Sequence, residues 1–272
     1  MSNHVDLYNS TYGRFAEEIL AAVRRETFGE DIGQNSWLTA DEFHTFLNSL
    51  HLHPGHHVLD VACGSGGPLL YLARTSGCRV TGIDSNENGI AAARQASASA
   101  GLSDRARFQV GDANHTLPFP SAFFNAILCI DAINHLKDRL AVLCDWHRLL
   151  KPGGRLLYTD PIIVTGPLSN EEILKRSSID FFLFVPPGYN ECLIEAAGFR
   201  LVHTRDVTEN TSHVSRRWLE ARQRYRSELI ALEGQERFEG LQAFFTTVHR
   251  LSSERRLSRK VFVVEKAATG VI

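Results

Sequence analysis

Two hydrophobic periodicities divide the chain. Up to residue 50 the apolar positions recur at helical spacing, in FAEEILAAVRRETF and TADEFHTFLNSL, with the polar turn GEDIGQNSW between them. Thr39 is placed to cap the second helix, and Glu42 three residues later completes the pattern of a capping box. From His57 onward, short β-branched runs alternate with longer amphipathic segments. HVLDVA, RVTGID, ARFQVGD, NAILCID and RLLYTD read as strands. PLLYLARTSG, ENGIAAARQASASAG and LKDRLAVLCDWHRLL read as helices, and KPGG as a turn. This alternation predicts an α/β fold around a largely parallel sheet. After Asp160 the regularity lapses: residues 161–189 hold four prolines and the apolar run FFLFV. YNECLIEAAGF then reads as a helix ended by Gly198, and RLVHTRDVT as a strand. Residues 211–257 read as helical throughout, and SRKVFVVEK closes the chain as a last strand.

Composition narrows the class. The 272 residues are 43% hydrophobic and 22% charged, which supplies a core for one large domain with a cap. A formal net charge of -2 gives no electrostatic case for nucleic acid or an anionic membrane. The five arginines between Arg216 and Arg226 read as a solvated helix face. Five cysteines, an odd number without CxxC spacing, argue against a disulfide framework or a zinc site. The cluster His51, His53, His56 and His57 beside Pro54-Gly55 reads as a surface turn. The N-terminus has no signal-peptide pattern, and no apolar run approaches the ~20 residues of a membrane span. The expectation is a cytoplasmic protein.

The chemistry concentrates in VLDVACGSGGP, residues 58–68. A strand ends in a glycine-rich turn, and a helix begins with Pro68 near its first position. Glycine permits positive φ and close approach of the backbone to a ligand. Asp84 follows Gly64 by 20 residues, at the end of the next strand, where a carboxylate holds ribose hydroxyls. A nicotinamide site shares these features. The turn lacks the third glycine of GxGxxG, however, and Asp60 stands where a pyrophosphate would be repelled. A carboxylate there suits the ammonium of a methionine moiety, and S-adenosylmethionine is the cofactor expected.

At this point the sequence resembles the class I methyltransferases. LDVACGSGG, GIDSN, VGDAN, FNAILCIDAINHL and LLKPGGRLLYTDP occur in that order at familiar distances. The resemblance is close over about residues 55–160 and looser in the final strands. It implies a Rossmann-like, mostly parallel seven-stranded sheet with helices on both faces and the last strand antiparallel. It also implies roles: Asp60, Ala62, Gly64 and Gly66 at the methionine end, Asp84 and Ser85 at the ribose, Asp112 and Ala113 about the adenine, and Ile130 and Asp131 beside the methyl group. Residues 1–50 then form an N-terminal helical lid on a core of 51–272, with cap insertions at 161–189 and 211–257.

YNSTYGRFAEE through FGEDIGQNSW is similar to the N-terminal region of glycine, sarcosine and dimethylglycine N-methyltransferases and related natural-product methyltransferases. The patterns diverge past GEDI, so the substrate does not carry over. Tyr8, Tyr12, Gln34, Asn35 and Trp37 are the lid candidates. His135 is the candidate general base, with Asp131 beside it; a helix-start role for His135 stays equally open. The acceptor expected is a small molecule, with N-methylation ahead of O- or C-methylation. The alternative outside catalysis is a cofactor-binding partner protein. A monomer or homodimer fits either reading.

Overall fold

The computed structural model describes Val5 and residues 7–268; the other residues of the expected lid and the last four of the core lie outside the described residues. Three helices come first: α1 (Tyr8–Gly13), α2 (Glu18–Phe28) and α3 (Ala40–Asn48). The alternating part follows as β1 (His57–Val61), α4 (Gly67–Ser76), β2 (Arg79–Asp84), α5 (Glu87–Ser99), β3 (Ala106–Val110) and β4 (Phe124–Cys129). A 3-10 turn (Ile133–His135) leads into α6 (Arg139–Leu149), which Asp138 caps, and then β5 (Leu150–Val164). The remainder is α7 (Asn170–Arg176), α8 (Tyr189–Ala196), β6 (Phe199–Asp206), α9 (Thr208–Arg224), α10 (Arg226–Glu233), α11 (Gln235–Ser253) and β7 (Leu257–Lys266).

The seven strands form one sheet in the order β3-β2-β1-β4-β5-β7-β6. All neighbours pair parallel except β7, which runs antiparallel to β5 and β6. This is the Rossmann-like sheet expected. Strands buried on both faces must be apolar at successive positions rather than alternate ones. In β4, Phe124, Ile127 and Cys129 enter one core while Ala126 and Leu128 enter the other. Along β7, Phe262 and Val264 face the first core, and Val261 and Val263 the second. Helices α6 and α8 cover the first face; α3, α4 and α5 cover the other. A third core lies over the C-terminal strand ends. There Phe28, Trp37, Trp218, Phe238, Phe244 and Phe245 gather α2, α9 and α11 with Ile162, Ile179 and Phe182.

Three local readings change. The 211–257 run is three helices, interrupted at Tyr225 and at Gly234, whose φ of 85° no helix accepts. KPGG is an irregularity inside β5, where pairing with β4 jumps from Phe124–Leu150 to Ala126–Arg155. Only half of the capping box at α3 exists. Thr39 Oγ1 accepts the Glu42 N–H at 3.3 Å, but the Glu42 carboxylate turns instead to Arg259 and Asn210. A complete box caps α7, between Ser169 and Glu172.

Candidate cofactor and acceptor site

The sheet order reverses between β1 and β4, and open α/β sheets bind ligands beyond the strand ends at such a point. A cavity of about 870 Å³ lies there, within the size range of small-molecule sites. Its floor begins at the end of β1, where Ala62, Gly64 and Gly66 all take positive φ (60°, 54° and 75°) and turn the chain sharply into α4. A Cβ on Gly64 would fall on the Tyr12 hydroxyl, so α1 lies directly over this turn. A Cβ on Gly66 would meet the Phe108 ring at 2.6 Å. Gly66 thus faces the core and caps α4, and it is not on the cavity wall; its expected cofactor contact is corrected to a packing role.

Two carboxylates mark this half of the cavity. Asp84 is held by the Gly64 N–H on one oxygen and the Asn86 N–H on the other, both at 2.8 Å. Asp60, 6% exposed, makes no hydrogen bond among the described residues. Burial, and then the charge of Asp84, push its pKa up to about 8. Burial also raises Asp84, against the two amides that oppose it. Ser85, Asp112, Ala113 and Ile130 continue the wall from the ends of β2, β3 and β4.

The other half is roofed by aromatic rings. Tyr8, Trp37, Phe182, Trp218, Phe244 and Phe245 line it, with Asn35, His135 and Arg176. Tyr8 Oη and His135 Nε2 lie 3.2 Å apart, and His135 Nδ1 lies 3.0 Å from the Phe181 carbonyl oxygen. A carbonyl only accepts, so Nδ1 carries the proton and Nε2 accepts from Tyr8. Burial lowers the His135 pKa, while Asp180, 3.4 Å away, opposes that. His135 sits in the 3-10 turn, four residues ahead of α6, so it does not start that helix.

Asp131 lies on the wall but has no free oxygen to offer. Oδ1 accepts from Arg259 Nε and Thr159 Oγ1, both at 2.7 Å, and Oδ2 accepts from the Trp37 N–H at 3.0 Å. Arg259, fully buried, also reaches Glu42 at 2.6 Å. Asp131, expected to take a catalytic part, is placed on the cavity wall with its carboxylate joining the Trp37 amide to Arg259 of β7. Gln34, also fully buried, accepts from the Ile32 N–H and donates to the Glu30 carbonyl; it shapes the GEDI turn and does not line the cavity. Arg176, Arg259 and the Phe244–Phe245 pair escaped the sequence reading, since Arg259 acts through carboxylates on distant elements and Arg176 is buried by rings from distant elements, Phe244 among them.

Residues 59–158 match the family model for a methyltransferase domain. The chain carries a class I methyltransferase domain. It is similar to Methyltransferase GfsG of Streptomyces halstedii, 36% identical over 169 residues, which is 60% of this chain and 59% of that protein. It is also similar to 27-O-demethylrifamycin SV methyltransferase of Amycolatopsis mediterranei, 31% identical over 160 residues, 56% of this chain and 58% of that protein. The chain therefore spans less than two thirds of the length of these relatives. In fold it resembles a putative sarcosine dimethylglycine methyltransferase from Galdieria sulphuraria, with a TM-score of 0.76 and 18% identity over 98% of this chain and 93% of that one.

The cofactor of such domains, S-adenosylmethionine, fits the donor set of this methyltransferase domain. Its ammonium and ribose hydroxyls are hydrogen-bond donors, and the cavity presents an unpartnered buried carboxylate, Asp60, beside a second, Asp84. A pyrophosphate there would face two carboxylates. Among the described residues no group of three or more His, Cys, Asp or Glu side chains is placed to hold a metal ion, and no helix is long and apolar enough to cross a membrane.

Proposed function

We propose that this protein transfers the methyl group of S-adenosylmethionine to a small-molecule acceptor. One observation carries the reading: a single cavity joins the acidic, glycine-floored half to the aromatic half, so cofactor and acceptor share one chamber under one roof. When bound, the cofactor supplies a methyl group on a positively charged sulfur. The residues of this chain bind, align and move protons. Asp60 takes the ammonium and Asp84 the ribose hydroxyls, with Ser85 beside it. Asp112 and Ala113 flank the adenine, and Ile130 borders the transfer position. Tyr12, on α1, closes over the glycine turn. Proximity of this kind contributes up to ~7–11 kcal/mol in well-aligned intramolecular cases.

An amine acceptor is favoured on the N-terminal likeness to N-methyltransferases. A hydroxyl acceptor is the second reading, and the Tyr8–His135 pair supports it. The His135 lone pair is covered by the Tyr8 hydroxyl, so His135 acts through Tyr8. The tyrosine takes the acceptor's proton while passing its own to Nε2. Burial raises the Tyr8 pKa far above its ordinary value, which keeps the hydroxyl protonated and suits it to relay rather than to store the proton. We place residues 1–50 and the segments 161–189 and 211–257 together as the roof, and the protein in the cytoplasm, as a monomer or homodimer. The five unpaired thiols support a reducing setting. Titration with S-adenosylhomocysteine and NAD tests the cofactor, and mass spectrometry of a metabolite extract tests the transfer. Binding of NAD in preference, or no methyl gain on any metabolite, overturns the reading.

A further inference from the structure

We propose that Arg176 is the seat for a carboxylate carried by the methyl acceptor. The inference rests on the methyltransferase reading above and narrows its substrate class. Arg176 ends α7 and lines the aromatic half of the cavity, and it is 2% exposed. Among the described residues it makes no hydrogen bond and no ion pair, and its Nη1 is buried without a partner. Its contacts are ring faces: Phe182 at 4.6 Å, Phe244 at 5.3 Å and Trp37 at 6.0 Å from the guanidinium carbon.

A buried guanidinium without an anion is costly, and native proteins keep one where a partner arrives later. The carboxylates whose charge acts on it are already committed, Asp131 to Arg259 and Asp160 to Arg139. Burial alone pushes the Arg176 pKa down to about 10, against the pull of Tyr8, Asp131 and Asp160, so it remains charged at neutral pH. The other arginine or lysine on the wall, Lys137, is exposed to solvent. One guanidinium presents one positive charge and a planar fork, which matches a carboxylate; a phosphate dianion would call for a second buried cation. The rings around Arg176 exclude water, which strengthens the pairing when the anion arrives.

The test uses the full chain saturated with S-adenosylhomocysteine, titrated with acetate, benzoate, benzamide and inorganic phosphate, for the wild type, Arg176→Met and Arg176→Lys. Binding of S-adenosylhomocysteine to all three proteins shows that they are folded; its failure in the wild type would sink the methyltransferase reading instead. The expected result is benzoate or acetate binding that weakens about tenfold or more in Arg176→Met and less in Arg176→Lys, while benzamide binds all three alike. Arg176→Met should melt at the wild-type temperature or above, since it removes an unpaired buried charge; a purely structural arginine would lower it. No carboxylate binding, equal binding in Arg176→Met, or a preference for phosphate over benzoate overturns the proposal. So does a natural acceptor, found by its mass gain, that carries no carboxyl group.

Discussion

Replacing Arg259 with Met removes one cation from two buried carboxylates at once. Arg259 is fully buried on β7 and bonds Asp131 at 2.7 Å and Glu42 at 2.6 Å. Burial disfavours its charge, but the two carboxylates more than reverse this and raise its pKa. Breaking a buried pair from one side typically costs ~3–5 kcal/mol, because the stranded charge has no solvent. At ~2–4 °C per kcal/mol for a domain of this order, the melting temperature should fall by roughly 6–20 °C. The deficit should depend on pH. Burial already raises the Glu42 pKa although Arg259 opposes it, and without Arg259 it rises further. A carboxyl whose folded pKa lies above its unfolded ~4.3 contributes most below that value and loses its contribution as pH climbs through the folded pKa. The variant should therefore lie closer to the wild type at about pH 5.5 than at about pH 7.5. Calorimetric melts at both pH values check this. A melting temperature within about 2 °C of wild type at the higher pH, or a deficit equal at both, would refute the argument.

Three further outcomes follow from the site. Burial pushes the Asp60 carboxyl up to about 8 in the free protein, and binding the ligand's ammonium requires loss of its proton, so S-adenosylhomocysteine affinity should rise as pH climbs toward about 8 and fall only at higher pH, where the ligand's α-ammonium, made more basic than a peptide terminus by its own carboxylate, deprotonates. Asp60→Asn should remove the rising limb, and calorimetric titration across pH would expose its persistence. Gly64→Val meets both a positive φ and the Tyr12 hydroxyl, so it should abolish cofactor binding while far-UV circular dichroism stays native; normal binding would contradict the floor described above. Tyr8→Phe and His135→Ala should each slow transfer to a hydroxyl acceptor by about 10²–10⁴-fold, and the double variant by no more than the worse single one. For an amine acceptor both losses should be smaller, and multiplicative losses in the double variant would separate the two residues.

What was legible in the sequence had local causes. Strand–helix alternation, Gly64 at a strand end, and Asp84 at the end of the next strand are each set by a few neighbouring residues, and the sheet follows from them. Side chains whose role depends on a distant partner were misread or missed. Asp131 follows a strand as a site residue does, but its partner Arg259 lies 128 positions away. Glu42 sits where a capping box needs it, yet its carboxylate goes to the same arginine, 217 positions on. Arg176 stood among other charges in the middle of an irregular stretch, with nothing in its neighbours to say that it is buried. Gly66 and Gln34 were adjacent to true wall residues but face inward, a difference of side-chain direction that spacing does not encode.

The same network constrains how the proposed roof opens. The described part of residues 1–50 cannot lift as one body, because α3 is fastened to β7 through Glu42 and Arg259, and the Trp37 amide is fastened to Asp131. Helix α1 is different: none of its residues is fully buried, although Tyr8 and Tyr12 are half-buried. Its Asn9 accepts from Asn86 Nδ2 at 2.8 Å, and its Tyr12 covers the glycine turn. Under the proposed function, opening falls to α1, and it requires release of the Arg14–Leu232, Arg237–Thr11 and Arg24–Phe15 hydrogen bonds while α3 stays fixed. Tyr8 belongs to α1, His135 to the turn after β4, and Asp180 and Phe181 to the chain after α7. In the hydroxyl-acceptor reading, the proposed relay therefore requires α1 in this position. On that reading closure and proton removal are one event, and a ligand that fails to hold α1 in place meets a site without the proposed base.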